Sequence, residues 1–214
     1  IALLFPIRYN ACHAHKRPRK IQEDFMKRSL GAKSLLYPTP IVVVGTYDNE
    51  GRANAMTVAW VGIVCSQPPC IGISLRKATH TYGNIIEREA FTVSIPSESH
   101  VKEVDYLGIA SGKREDKFSI AGLTAIGSDI VDAPYVKEFP FILECRLMQT
   151  TEIGLHTQFV GEIKNIKADE EILNEKNLPD MGGRFRPLLY APELRKYYGV
   201  GAALGDAFSM GKAL

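Results

Sequence analysis

Short apolar runs separated by turn residues dominate this chain, and they restrict the folds open to it. Residues 41–47 are rich in β-branched side chains and precede Asp48-Asn49-Glu50-Gly51, a typical turn. Residues 91–95 alternate between apolar and polar side chains and stop before Pro96. Similar runs predict further strands over residues 52–60, 70–75, 141–147 and 156–166. The chain is therefore expected to be mainly β.

Helical patterns are few and short. Thr79 is in position to cap a helix that runs to Arg88. Ser97 or Ser99 could cap a second helix, which reaches Leu107. Residues 112–117 are mostly charged and predict an exposed loop. Because long helices do not alternate with strands, a doubly wound parallel sheet is disfavoured. Seven or so short strands with two inserted helices favour a closed, mainly antiparallel barrel.

The charge distribution argues against nucleic-acid binding by residues 26–214, which we call the body of the chain. The formal net charge is +2, yet residues 1–25 alone carry five basic and two acidic side chains, which leaves the rest at −1. A nearly neutral body lacks the basic surface that binds phosphate backbones. No apolar run has the roughly 20 residues that a membrane-spanning helix needs. Four cysteines without C-x-x-C spacing are typical of reduced thiols, so we expect a cytoplasmic protein.

Residues 1–25 differ from the rest of the chain. A short apolar run precedes a basic cluster, and Met26-Lys27-Arg28-Ser29 resembles a natural start. We expect residues 1–25 to be a non-native or disordered extension and residues 26–214 to form one domain. A nucleic-acid-binding arm is the alternative.

Several patterns resemble known binding motifs, but their residues are not spaced as those motifs require. Residues 199–205 resemble a dinucleotide fingerprint, but the third glycine comes one residue late and too few residues follow for a βαβ unit. The five histidines lack metal-ligand spacing, so no metal site is expected. Cys65 and Cys70 flank Pro68-Pro69, and buried structural thiols are favoured over a redox pair.

Residues 54–60 form the first segment that indicates chemistry. They combine an amide, a thioether, a hydroxyl and the only Trp, with small side chains between them. Small residues let a strand backbone approach a flat ring closely, so that its N–H and C=O groups can pair with a heteroaromatic edge. An ordinary barrel strand with Trp60 in the core is the alternative.

Residues 74–84 form the second segment. They place Arg76, Lys77 and two hydroxyl groups, those of Thr79 and Thr81, immediately before or within a predicted helix N-terminus. Unpaired amides, the positive end of the helix dipole and two cations favour an anion. A single phosphate fits better than a diphosphate because there is no glycine-rich loop. A solvated turn before a capped helix is the alternative.

A heterocycle along one strand and a monophosphate at the next helix start together describe flavin mononucleotide (FMN). The chain resembles the flavin reductase-like FMN-binding split-barrel family over about residues 27–212. Residues 54–84, including Ser66-Gln67-Pro68-Pro69, carry this resemblance. Tyr37-Pro38-Thr39-Pro40, residues 154–162 and Tyr197-Tyr198-Gly199-Val200-Gly201 are similar to its flavoredoxin branch.

The resemblance implies a six-stranded antiparallel Greek-key split barrel with short inserted helices, and a homodimer with FMN near the subunit interface. It implies that the glycine-rich tail closes over a site, and that His156 is a catalytic residue beside the flavin and the nicotinamide. A histidine that only packs in the barrel is the alternative for His156. It implies flavin contacts for Asn54, Met56, Thr57, Val58, Ala59 and Trp60. The residues that it implies at the phosphate end of the cofactor are Ser74, Leu75, Arg76, Lys77 and Thr81. It places Tyr82 and Asn84 near that end.

The leading hypothesis is an NAD(P)H-dependent FMN oxidoreductase that passes electrons to free flavin, a metal centre or a redox protein. In such enzymes the cofactor supplies the redox chemistry and the protein supplies binding and orientation. An FMN electron carrier without NAD(P)H activity is the alternative. A colourless barrel whose basic arm contacts nucleic acid is a third hypothesis, which the neutral body disfavours.

Overall fold

The computed structural model describes residues 27–213, so the expectation for residues 1–25 lies outside the described part. The chain separates after Ser34. Residues 27–34 contain no helix or strand, and the elements below belong to the unit that begins at Leu35.

Twelve strands and three α-helices follow one another along this unit. The strands are β1 (Thr39–Pro40), β2 (Val42–Tyr47), β3 (Ala53–Val58), β4 (Val61–Ser66), β5 (Pro69–Arg76), β6 (Ala90–Ile95), β7 (Ala125–Gly127), β8 (Pro134–Val136), β9 (Phe141–Ile153), β10 (His156–Ala168), β11 (Leu189–Ala191) and β12 (Lys196–Tyr198). The helices are α1 (His80–Arg88), α2 (Val101–Ile109) and α3 (Lys117–Ala121), with 3-10 turns at Glu98–His100, Glu170–Ile172 and Met210–Ala213.

One antiparallel sheet of seven strands, in the order β3-β2-β6-β9-β10-β5-β4, makes up most of the fold. The sheet curls, because β3 at one edge lies against β5 near the other, where the Ser74 amide donates to the Trp60 carbonyl at 2.9 Å. The expected mainly β, antiparallel split-barrel class is confirmed. The strand count is one higher than the resemblance implied, and the structure includes β4, an exposed edge strand that folds back on β5.

Two apolar clusters lie on the two faces of the curled sheet, because successive side chains of a strand point to opposite faces. Val42, Val44 and Val58 pack inside the barrel with Phe91 and Phe159. On the other face of β2 and β3, Val43 and Ala55 pack with side chains of α2, α3 and β8. This alternation gives β3 a barrel-facing side, with Asn54, Met56 and Val58, and a helix-facing side.

The cysteines among the described residues are free thiols. Cys70 and Cys145 are buried, as expected of structural thiols, but Cys65 is exposed. Cys65 lies on the edge strand β4, whose residues have no further strand to cover them, and it faces Cys70 across the β4–β5 pair.

Candidate functional site

A cavity of about 330 Å³ lies where β3, the β5–α1 connection and the α2–α3 loop meet. Both sequence segments reach it, because β3 brings Asn54 and Met56 while the end of β5 brings Arg76. The remaining lining residues are Ala78, Thr79, His80, Thr81, Gly108, Ala110, Ser111, Gly112 and Lys117.

Helix α1 begins at this cavity, and its start is built as the sequence predicts. Thr79 is the N-cap: its Oγ1 accepts from the Tyr82 amide at 3.3 Å and donates to the Arg76 carbonyl at 2.9 Å. The first turn contains no acidic side chain. The positive end of the helix dipole, the Arg76 guanidinium and the Thr79 and Thr81 hydroxyls thus share one cavity, which is suited to an anion such as a phosphate.

Four buried polar side chains fasten this corner together. The Asn54 amide donates to Thr81 Oγ1 at 2.9 Å and to Thr46 Oγ1 at 3.4 Å. Asn84 Nδ2 donates to the same Thr46 oxygen at 3.0 Å. Each of the four is at most 5% exposed. The network joins β2 and β3 to α1, so it fixes the strand relative to the helix start.

Lys117 is a cation that the sequence analysis missed. The predicted exposed loop over residues 112–117 is wrong at this end, because Lys117 starts α3 and is only 3% exposed. Its Nζ donates to the Leu107 carbonyl at 2.6 Å, and no carboxylate of the described residues lies within ion-pairing distance. Burial lowers the pKa of Lys117 to about 8, while the Glu115 carboxylate acts in the opposite direction. A buried ammonium group at a cavity wall is stabilised by an anionic ligand.

The α2–α3 loop, most of which the sequence predicts as an exposed loop, also lines the cavity through Ala110, Ser111 and Gly112, a role that the sequence analysis missed. A Cβ on Gly112 would lie 2.1 Å from Asn54 Oδ1, so a larger residue would collide with the buried network. Ser111-Gly112 followed by a charged run is the only local signal for this role, since the contact with Asn54 joins distant parts of the chain.

The other predicted residues of the first segment lie outside this cavity. Thr57 is on the helix-facing side of β3, where its hydroxyl donates to the Val104 carbonyl. Val58 is in the barrel core, and Ala59 and Trp60 are half-buried beyond the end of β3. Their assignment to a flavin ring stays a prediction.

Several predicted phosphate-end residues also lie elsewhere. Leu75 is buried in the barrel core, and the Tyr82 ring packs edge-on against Phe159 with centroids 5.2 Å apart. Lys77 is exposed and its Nζ lies 2.6 Å from Glu152 Oε1. Ser74, half-buried on β5, pairs with Gln158 of β10. Asn84 belongs to the buried network behind the cavity wall. Arg76 and Thr81 are the ones that line the cavity.

His156 lies at the start of β10, next to the cavity strand. It pairs with Arg76 of β5 on one side and with Ile153 of β9 on the other. The histidine is half-buried and does not line the cavity. This position is one strand away from the proposed phosphate end.

A second cavity, of about 520 Å³, adjoins the first and shares Asn54, His80 and Gly112 with it. Asp48 and Arg52 of the β2–β3 hairpin line it, together with Ala53, Lys113, Arg114, Glu115, Asp116, Phe118 and Ala125.

Residues 27–213 contain neither a metal-binding cluster nor a membrane-spanning helix. No cluster of three or more His, Cys, Asp or Glu side chains there could hold a metal ion. No helix of this range is both long and apolar enough to span a membrane.

Comparison with solved structures shows close relatives of this fold. Flavoredoxin of Desulfovibrio vulgaris (Miyazaki F) is 54% identical, with a TM-score of 0.83 over 87% of this chain and 100% of that chain. Flavoredoxin from Methanosarcina acetivorans is 31% identical, with a TM-score of 0.79 over 89% and 98%. An FMN-binding protein from Thermus thermophilus is 25% identical, with a TM-score of 0.73 over 84% and 99%.

The family comparison agrees with the structural one. The sequence profile of the flavin reductase like domain matches residues 34–200, which include every strand and helix that lines the two cavities. By this match, and by its likeness to the flavoredoxins, the chain belongs to the flavin reductase-like, split-barrel family.

Proposed function

We propose that this protein is an FMN-dependent oxidoreductase that takes a hydride from NADH or NADPH and passes electrons to a flavin, metal or protein acceptor. The observation that supports it most is the 330 Å³ cavity, which collects the α1 N-terminus, Arg76 and the buried Lys117 beside β3. A phosphate monoester is the anion that these groups suit.

The residues present fit FMN. Two cations and the Thr81 hydroxyl provide for the phosphate, while the Thr79 hydroxyl caps α1 and donates to the Arg76 carbonyl. The barrel-facing side of β3 continues from Asn54 through Met56 away from the phosphate position. Lys117 has two ammonium hydrogens left after its bond to the Leu107 carbonyl, and it is too buried to give them to bulk water. An anionic ligand would neutralise this buried charge and accept the remaining hydrogen bonds.

The chain's own contribution is binding and orientation. When bound, FMN supplies the redox chemistry, since its ring accepts a hydride and then releases electrons. Arg76 and the α1 amides fix the phosphate end, and the Asn54–Thr81 bond holds the strand and helix at a constant separation. Lys117 stabilises negative charge inside the cavity. Hydride transfer itself requires no protein general acid.

An absorbance spectrum with an FMN titration tests the proposal directly. The purified protein is expected to bind FMN, and anaerobic NADH or NADPH is expected to bleach the visible flavin band. A protein that does not bind FMN contradicts the proposed cofactor. A protein that binds FMN but is not reduced by either nucleotide contradicts the proposed donor.

His156→Ala is expected to keep the flavin and slow its reduction by NAD(P)H by about tenfold or more, because a nicotinamide that is not oriented loses the near-attack geometry. Stopped-flow reduction under anaerobic conditions measures the effect. Gln149→Ala, an exposed change on the neighbouring strand β9, is the matched control. Identical reduction rates for the variant and the parent would remove His156 from the mechanism.

An FMN electron carrier without NAD(P)H activity is the second candidate. The 54% identity to a protein named flavoredoxin favours it. The two functions separate in one experiment: a carrier exchanges electrons with a reduced redox protein and reacts slowly with NAD(P)H, whereas the reductase reacts quickly with the nucleotide. The free thiols Cys65, Cys70 and Cys145 are consistent with a cytoplasmic location for either.

We also propose that the protein is a homodimer. Exposed apolar side chains concentrate on β4 and on β9 and β10 near their connecting turn, including Ile63 (66% exposed) and Leu155 (64% exposed). An uncovered edge strand with apolar side chains is typical of an interaction surface. The partner proposed here is a second copy of the chain.

Ile63→Glu is expected to convert the dimer to a monomer, since it places a charge in an apolar interface. Sedimentation velocity on the parent and the variant measures the change. Ile130→Glu, which alters an exposed apolar residue away from β4, should leave the dimer intact. A parent protein that is already monomeric at micromolar concentration would contradict the proposal.

A further inference from the structure

Two cysteines that the proposed function does not use lie opposite each other on the β4–β5 hairpin. Cys65 of β4 and Cys70 of β5 are register partners in this antiparallel pair. Residues opposite each other in such a pair project from the same face, with Cα atoms roughly 4.5 or 5.5 Å apart. A disulfide accepts Cα separations of about 4.4–6.8 Å. The backbone therefore holds the two residues at a separation that a disulfide can span.

Both thiols project from the outer face of the curled sheet. Ile71 packs inside the barrel, so the adjacent Cys70 points outward, and Cys65 shares that face with its register partner. Ile63 pairs instead with Ile71. The register shift between Ile63 and Cys65 inserts one extra residue, which places these two side chains of β4 on opposite faces. The thiols thus lie on the face opposite to Ile63, the residue that probes the proposed dimer surface.

The two thiols differ in their access to solvent. Cys65 is exposed, because β4 is an edge strand that no further strand of the sheet covers. Cys70 is 3% exposed, and its Sγ donates to Met148 Sδ at 3.6 Å. Burial raises the pKa of Cys70, and Cys65 and the Glu162 carboxylate act in the same direction. An oxidant therefore reaches Cys65 first, while Cys70 remains a protonated thiol opposite it.

We propose that Cys65 and Cys70 are a redox-active dithiol that a peroxide converts to a disulfide. Hydrogen peroxide transfers one oxygen atom to Cys65 Sγ as its O–O bond breaks, which gives a sulfenic acid and one water. The Cys70 sulfur then attacks Cys65 Sγ, the S–O bond breaks, and the hydroxyl leaves with the Cys70 proton as a second water. Both sulfurs are oxidised and the peroxide is reduced.

An external dithiol reverses the modification by thiol–disulfide exchange. Disulfides that form transiently in a reducing compartment are typically functional rather than structural. The site is separate from the flavin, since neither cysteine lines the 330 Å³ cavity. The inference therefore goes beyond the proposed oxidoreductase function and does not depend on it.

Mass spectrometry of one tryptic peptide tests the proposal, because cleavage after Arg52 and Arg76 releases residues 53–76 with both cysteines. The full-length protein is treated with hydrogen peroxide, then denatured in N-ethylmaleimide and digested. We expect the peptide to lose two hydrogens and to carry no maleimide. Dithiothreitol added before the maleimide should restore two labelled thiols.

Cys145 is the internal control, because it lies in a different tryptic peptide of the same sample. It is 0% exposed inside the barrel, and burial raises its pKa to about 12. A thiol of this kind is inert to oxidants. Cys145 should therefore take up maleimide equally with and without peroxide.

Two single variants separate the roles of the thiols. Cys70→Ser keeps the exposed thiol but removes its partner, so Cys65 is expected to proceed to the sulfinic acid, which dithiothreitol does not reverse. Cys65→Ser should leave Cys70 a thiol under the same treatment, because Cys70 is buried. Far-ultraviolet circular dichroism shows whether each variant keeps the parent fold.

The proposal is overturned if the peptide of the peroxide-treated parent still carries two maleimides. It is also overturned if Cys65 becomes sulfinic acid beside an unmodified Cys70, since the second thiol then fails to act. A disulfide that links the peptide to another peptide, of the same chain or of a second copy, would equally contradict the pairing of Cys65 with Cys70.

Discussion

The double variant Arg76→Ala/Lys117→Met is expected to weaken FMN binding by at least about a hundredfold. Each charge-assisted contact contributes roughly 1.5–3 kcal/mol, and the variant removes two cations from the walls of one cavity. Methionine keeps the length and apolar stem of Lys117, so the variant mainly removes charge. Titration of apo-protein with FMN, followed by flavin fluorescence, gives the ratio of dissociation constants.

The matched control is Arg146→Ala/Lys102→Met, which removes the same two charge types from exposed positions outside the cavity. Its FMN affinity should equal that of the parent at moderate ionic strength. Lys77→Ala belongs in the same series, because the sequence assigns Lys77 to the phosphate while the structure pairs it with Glu152. A change below about threefold in the Arg76→Ala/Lys117→Met variant would refute the phosphate assignment.

The stability of the apo-protein is expected to rise by about 2 kcal/mol between pH 7 and pH 10 relative to Lys117→Met. Burial lowers the pKa of Lys117 from 10.5 to about 8 in the folded state. Between these two values the unfolded chain binds more protons than the folded chain, so raising the pH favours folding. Below pH 8 both states are protonated, and the full cost of burying the ammonium group is present.

Urea unfolding at several pH values, for the parent and for Lys117→Met, measures this difference. His80, whose pKa Lys117 helps to lower, and the Glu115 carboxylate titrate below the range from pH 7 to pH 10, so the difference between the two proteins in that range reports on Lys117. Bound FMN should flatten the profile, because an anion beside Nζ raises the pKa of the lysine again. Parallel stability profiles for the two apo-proteins would show that the ammonium group is solvated.

Most strands could be predicted from the sequence, because the patterns that favour a strand lie within a few neighbouring residues. The β-branched run ahead of Asp48 became β2, and the alternating residues 91–95 fall within β6. Strand β4 was missed, since the chain turns at Ala59-Trp60 without a glycine or proline to mark it. Strands β9 and β10 extend to thirteen residues each, beyond their alternating cores, because they pair with each other along that length.

The sequence predicted only some of the residues that line the candidate site. The Thr79 cap is confirmed, because helix capping is a local property of the sequence. Arg76 and Thr81 of the second segment line one cavity with Asn54 and Met56 of the first. Lys117 could not be found in this way. Its burial depends on the Leu107 carbonyl and on the packing of α3, whereas residues 113–116, which precede it, are charged and mostly exposed.

The buried network of Thr46, Asn54, Thr81 and Asn84 has a consequence for how the protein would acquire its cofactor. These four side chains hydrogen-bond to one another, so the corner between β3 and α1 is held by bonds within the protein that a flavin need not supply. A preorganised pocket loses little conformational entropy on association. Reconstitution of the apo-protein should therefore be limited by diffusional encounter with the flavin, with no refolding step of this corner in the time course.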